Sequence, residues 1–151
     1  MNITKITNWI KQYAIDNNRD ALIVGISGGI DSSVVSTLCA KTGMKVYVVS
    51  MAINQISSQH DLSLAHGNWL INKFSNVVHK TIDLGGVYEK FNNLMKNEFD
   101  SEHSFANSKS RLRMVALHQI SGSKSGLVVG TGNKVEDFGV GFYTKYGDGG
   151  V

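Results

Sequence analysis

Residues 21–26 read ALIVGI, a short unbroken apolar run rich in β-branched side chains, with glycines following at Gly28 and Gly29. Such a run has no wet face, so it predicts a strand buried on both sides in a parallel sheet. From Asp31 the spacing changes: Val34, Val35, Leu38 and Cys39 recur at helical intervals, and Gly43 stands where a helix would be capped. The unit is strand, tight turn, helix, and a parallel neighbour for that strand requires a crossover connection.

The alternation continues along the chain. Ile3, Ile6, Ile10, Tyr13 and Ala14 predict an amphipathic first helix ending near Asn17 and Asn18. Strands are expected at 45–51, 77–82 and 126–131, and helices at 57–74, 87–99 and 105–120. The fold class is therefore α/β, a doubly wound parallel sheet flanked by helices, and one such domain occupies residues 1–151. Seven of the 16 glycines fall between Gly130 and Gly150, so the tail is expected to be loop.

Composition excludes several function classes. A chain of 151 residues that is 42% hydrophobic and 18% charged can bury a core and is not of disordered type. No apolar run is long enough to span a bilayer, and the amino terminus lacks a secretory pattern, so membrane and export roles are set aside and a cytoplasmic location is expected. Cys39 is the single cysteine, which rules out an internal disulfide. A net charge of +3 is too small to mark a nucleic-acid surface. His60 and His66 lack the i, i+4 spacing of a helical metal pair, Cys39 is expected in the core, and Trp9 and Trp69 are expected to pack.

In open parallel sheets ligands bind at the carboxyl ends of strands, which directs attention to the residues after Ile26, Met51 and Thr131. The segment 25–33, GISGGIDSS, has the residues an anion needs there. Gly28 and Gly29 let backbone N–H groups approach closely, the following helix offers its positive end, and Ser27, Ser32 and Ser33 add hydroxyls. Asp31 would repel a polyphosphate unless a divalent cation lay between them, which suggests Mg²⁺. The string is neither a Walker A loop nor GxGxxG.

SGGIDS resembles the pyrophosphate loop of the ATP pyrophosphatase (PP-loop) superfamily, with its adenine nucleotide alpha hydrolase-like fold. Residues 106–114, ANSKSRLRM, and 130–150, GTGNKVEDFGVGFYTKYGDGG, resemble the corresponding signatures of ammonia-dependent NAD synthetases, in the same order. The resemblance covers essentially the whole chain, which matches somewhat more than the amino-terminal half of that family's usual length.

What the resemblance implies is a ligase that adenylates the nicotinate carboxylate of deamido-NAD with Mg²⁺-ATP as co-substrate, after which ammonia displaces AMP to give NAD. It implies that Gly25, Ile26, Ser27, Gly28, Gly29, Ile30, Asp31, Ser32 and Thr131 bind ATP. It also implies that Arg111 and Lys145 bind deamido-NAD, that Asp31 and Glu136 hold the metal, and that the protein is a homodimer. No protein nucleophile or base is required. Arg111 and Arg113 are two apart on a helix and point to different sides, so Arg113 is expected to be structural or interfacial.

The family's pattern would continue past Val151 with an acidic dinucleotide contact, a Lys and a Thr for ATP, and a His-Lys pair. The sequence is therefore expected to be part of a larger ligase. Two alternatives stand beside this reading: a catalytically inactive nucleotide-binding or dimerisation module, and another PP-loop enzyme such as a GMP synthetase-like amidotransferase domain.

Overall fold

The structure, a computed structural model, describes residues 2–54, 57–135, 139 and 143–147, and of Ser57 the backbone alone. The elements in chain order are α1 (Ile3–Asp16), β1 (Ala21–Ile26), α2 (Ile30–Lys41), β2 (Lys45–Ala52), α3 (Ser57–Lys73), β3 (Val77–Asp83), α4 (Gly85–Met95), α5 (Glu102–Ser123) and β4 (Gly126–Val128). The sheet order is β3-β2-β1-β4, with every pairing parallel. This is the doubly wound arrangement expected from the alternating pattern.

β1 lies between two neighbours, and its apolar run follows from that position. Leu22, Val24 and Ile26 face one side, where they pack with Ile10 and Ala14 of α1, Cys39 and Ala40 of α2 and Leu70 of α3. Ala21 and Ile23 face the other, against Tyr88 of α4 and Leu117 of α5. Leu22, Ile23 and Val24 are fully buried, so truncating Leu22 to alanine is expected to cost about 2–5 kcal/mol. The two faces give two apolar cores.

Local chemistry sets the ends of the elements. Asn2 caps α1 by accepting the Lys5 N–H at 3.0 Å. Gly43, at φ +75°, takes the left-handed turn just past α2. Helix α5 starts at Glu102, earlier than the apolar spacing predicted, because the Ser101 side chain accepts the Ser104 N–H. Helix α4 likewise starts at Gly85, whose N–H donates to Asp83 Oδ1 at 2.8 Å, and it stops at Met95.

One expectation needs correction. The fourth strand ends at Val128, short of Thr131: one more ladder bond, Val129 N–H to the Ile23 carbonyl at 2.9 Å, precedes the chain's departure from the sheet. Trp9 and Trp69 pack against neighbouring rings while staying 60% and 47% exposed. Trp9 lies against Tyr13 on the outer side of α1, and Trp69 stacks on His66. Cys39 is buried, as expected. Among the described residues no helix is long and apolar enough to cross a membrane.

Candidate active site

The loop from Ile26 to the start of α2 is tied by serine hydroxyls before any ligand arrives. Ser32 Oγ accepts the Ser27 N–H at 3.2 Å and donates to the Gly29 carbonyl at 3.1 Å, while Ser27 Oγ accepts the Gly29 N–H at 3.2 Å. Gly28 has φ +89°, and a Cβ there would lie 2.7 Å from the Gln59 carbonyl oxygen of α3. Glycine is thus required twice at this position, by the backbone angle and by the neighbouring helix. The outcome is a rigid turn at the positive end of α2, a built setting for an anion.

Beside this loop lies a cavity of about 240 Å³, lined by Gly25, Ile26 and Ser27 from the first strand and turn, Gly130 and Thr131 after β4, and Arg113 of α5. The structure therefore brings together four of the sequence-predicted ATP residues, Gly25, Ile26, Ser27 and Thr131. Gly28 and Gly29 belong to the adjoining turn, and Ser32 is buried beneath it as a tie. Ile30 is different. Its side chain is 74% exposed and faces a groove between α2 and α3, so only its backbone is placed to meet a phosphate.

Asp31 stands in the first turn of α2, and its carboxylate accepts a hydrogen bond from the Asn133 side-chain amide at 3.3 Å. The segment after β4 is thereby drawn to the turn after β1. A single oriented carboxylate beside a phosphate-type loop is a donor set that fits Mg²⁺, which is commonly held by one or two carboxylates with phosphate oxygens and waters. Glu136, the second expected metal carboxylate, lies outside the described residues.

Arg111 and Arg113 diverge, as two positions on one helix must. Arg113 Nε donates to the Met51 carbonyl at 3.2 Å, and burial lowers its pKa. It also lines the cavity next to the loop. Arg111 Nε donates to the Lys145 carbonyl at 3.1 Å on the exposed side of α5. Arg111, Lys145, Tyr143, Tyr146, Met114 and His118 line a shallow groove there. The two residues expected to bind the dinucleotide are thus adjacent, and Met114 lines both the groove and the cavity.

The sequence model of the NAD synthase family matches residues 2–151. The chain belongs to the NAD synthase family. It is 35% identical over 152 residues to the NH(3)-dependent NAD(+) synthetase of Saccharolobus solfataricus, covering 97% of this chain and 52% of that one. It is 32% identical to the protein of that name from Carboxydothermus hydrogenoformans, covering 97% of this chain and 60% of the relative. Among solved structures, the NMN synthetase of Francisella tularensis superposes with a TM-score of 0.86 at 28% identity, covering 97% of this chain and 59% of that one. The NH3-dependent NAD synthetase of Campylobacter jejuni gives 0.81 at 31% identity, covering 98% and 64%. The chain thus spans little more than half the length of the curated relatives it matches.

Sequence reasoning overlooked the place of Arg113 in the cavity. A signal for it was present: Arg113 is four residues before the buried Leu117 and so shares the helix face turned toward the sheet. Asn133 was overlooked as well, because its link to Asp31 spans 102 positions and has no local pattern.

Proposed function

We propose that this chain carries the ATP site and part of the dinucleotide site of a cytoplasmic, homodimeric ligase that amidates deamido-NAD with ammonia, giving NAD, AMP and pyrophosphate. The observation that supports this best is the meeting of the loop after β1, the segment after β4 and Arg113 of α5 around one cavity, in a chain of the NAD synthase family.

In this reading the tied loop presents the N–H groups of Gly28 and Gly29 to the β- and γ-phosphates, with no reorganisation needed at the moment of reaction. Thr131 and Arg113 meet the remainder of ATP in the cavity, where a partly buried guanidinium attracts an anion more strongly than it would in open water. Asp31, with Glu136, would hold Mg²⁺, which when bound neutralises phosphate charge. Arg111 and Lys145 orient the dinucleotide from the far side of α5, with the aromatic rings of Tyr143 and Tyr146 beside them.

The nicotinate carboxylate oxygen forms a bond to the α-phosphorus as the bond to pyrophosphate breaks. Ammonia then forms the amide bond as the acyl–oxygen bond to AMP breaks, and the surplus proton passes to solvent. The chain's part is positioning and charge, which can supply most of such a barrier reduction without a covalent enzyme intermediate.

A second reading concerns the acceptor. The likeness to an NMN synthetase at a TM-score of 0.86 favours testing the mononucleotide, nicotinate mononucleotide, as the amidated substrate. The deciding experiment incubates the purified protein with Mg²⁺-ATP, ammonium and either deamido-NAD or nicotinate mononucleotide, and measures pyrophosphate and amidated product. Product from deamido-NAD that vanishes in Asp31→Ala supports the main reading, and product from the mononucleotide alone supports the second. Silence with both acceptors favours an inactive nucleotide-binding module.

A further inference from the structure

Four serines, Ser32, Ser36, Ser50 and Ser63, are buried around the carboxyl end of β1, with exposures of 5%, 0%, 0% and 3%. Buried hydroxyls are costly unless bonded, so where these bonds lead is informative. Ser63 of α3 donates to the Ile26 carbonyl at 2.8 Å, at the entrance to the phosphate-type loop, and also lies 2.7 Å from Ser50 Oγ of β2. Ser50 Oγ lies 2.9 Å from His79 Nε2 of β3. One hydroxyl proton cannot serve two acceptors at once. Ser63 thus has two acceptors, the Ile26 carbonyl and Ser50 Oγ, and a His79 Nε2–H that donates to Ser50 Oγ occupies that oxygen and leaves the Ser63 proton to the Ile26 carbonyl.

A parallel chain reaches the other end of the loop. Ser36 Oγ donates to the Ser32 carbonyl at 2.7 Å and lies 2.9 Å from His66 Nε2, which completes it as a donor. The sequence also makes room for His79. A Cβ on Gly67, in the middle of α3, would overlap the His79 ring, and glycine within a helix costs about 1 kcal/mol relative to alanine.

We propose that His79 is a positioning residue for the loop between β1 and α2, acting through Ser50 and Ser63 on the Ile26 carbonyl, with His66 and Ser36 as its counterpart on the helix side. The inference rests on the reading of that loop as the ATP phosphate site. The imidazole reaches the loop only through hydroxyls and touches no substrate. What it fixes is the direction of the peptide units that carry the loop's N–H groups.

The test compares the wild-type protein with His79→Leu, which keeps volume and loses the donor, and His79→Gln, which restores an N–H near the Nε2 position. Two quantities are followed: affinity for Mg²⁺-ATP, with inorganic pyrophosphate as a second probe, and hydrogen exchange of the Ser27, Gly28 and Gly29 amides without ligand. In His79→Leu the affinity should fall about tenfold and the three amides should exchange faster, while those of α5 stay unchanged. In His79→Gln both should return to within about twofold of wild type, as a retained hydrogen bond predicts. Should His79→Leu fail to fold, Ser63→Ala cuts the same chain at its carbonyl end and is read the same way.

Loop amides that exchange alike in all variants overturn the proposal, as does affinity lost equally in the Leu and Gln variants. If the wild-type protein binds neither probe, the phosphate-site reading fails. The amide comparison then still decides whether His79 holds the loop.

Discussion

Asn133 meets Asp31 beyond the ends of two neighbouring strands: its side-chain amide donates to the carboxylate at 3.3 Å and joins the segment after β4 to the first turn of α2. The bond orients the carboxylate proposed to hold the metal. Asp31→Ala should abolish pyrophosphate release, whereas Asn133→Ala should leave a functional site weakened by about ten- to a hundredfold, the worth of one hydrogen bond to a charged partner. Mg²⁺ titration of activity in the two variants checks this, and equal losses would contradict the division of roles.

Arg113 and Arg111 should separate by substrate. Arg113→Ala is expected to raise the KM for ATP by about ten- to a hundredfold with little change for the dinucleotide, since a charge-assisted contact contributes ~1.5–3 kcal/mol. Arg111→Ala should do the reverse. Steady-state kinetics with each substrate varied in turn provides the check, and a shared pattern in both variants would place the two arginines in one site.

Gly28→Ala should be damaging despite adding one methyl group. The left-handed backbone costs about 1–2 kcal/mol for a residue with a Cβ, and the approach to the Gln59 carbonyl adds to it. Thermal unfolding should shift down and ATP affinity should fall with it. Gly43→Ala, at φ +75° with open space around its Cβ, should show the stability loss without the loss of affinity.

Cys39 should be chemically silent. Burial pushes its thiol up to about 12, so almost no thiolate is present near neutrality. Native protein should resist iodoacetamide at pH 8 and react fully in urea, as read by intact mass. Rapid alkylation of the native protein would show that the core around α2 opens.

Stability should fall on mild acidification. Burial holds His66 and His79 below the ordinary histidine value, and in the case of His79 the nearby His66 adds to the effect. The unfolded chain then binds protons more readily, so their contribution is fully present above about pH 6.5 and is lost as pH falls toward the folded-state values. Urea midpoints at pH 7.5 and 5.5 measure the slope, which His79→Gln should reduce.

The fold was legible because β1 has no polar face and because strands and helices alternate as far as β3, with α4 and α5 following one another before β4. The loop was legible for a related reason: glycine, serine and aspartate at 27–32 have few other uses between a buried strand and a helix. What could not be read is contact between segments far apart in the chain: Asn133 gains its role from Asp31, 102 positions away, and Arg113, whose helix face the spacing to Leu117 does give, bonds a Met51 carbonyl that no local pattern announces.

Helix α5 is a party wall. It turns Arg113 to the cavity and Arg111 to the groove, and Met114 belongs to both. In the proposed reading, a ligand that shifts this helix on one side alters the fit on the other, and thermodynamic linkage makes the effect reciprocal: whatever factor ATP imposes on dinucleotide affinity, the dinucleotide returns to ATP.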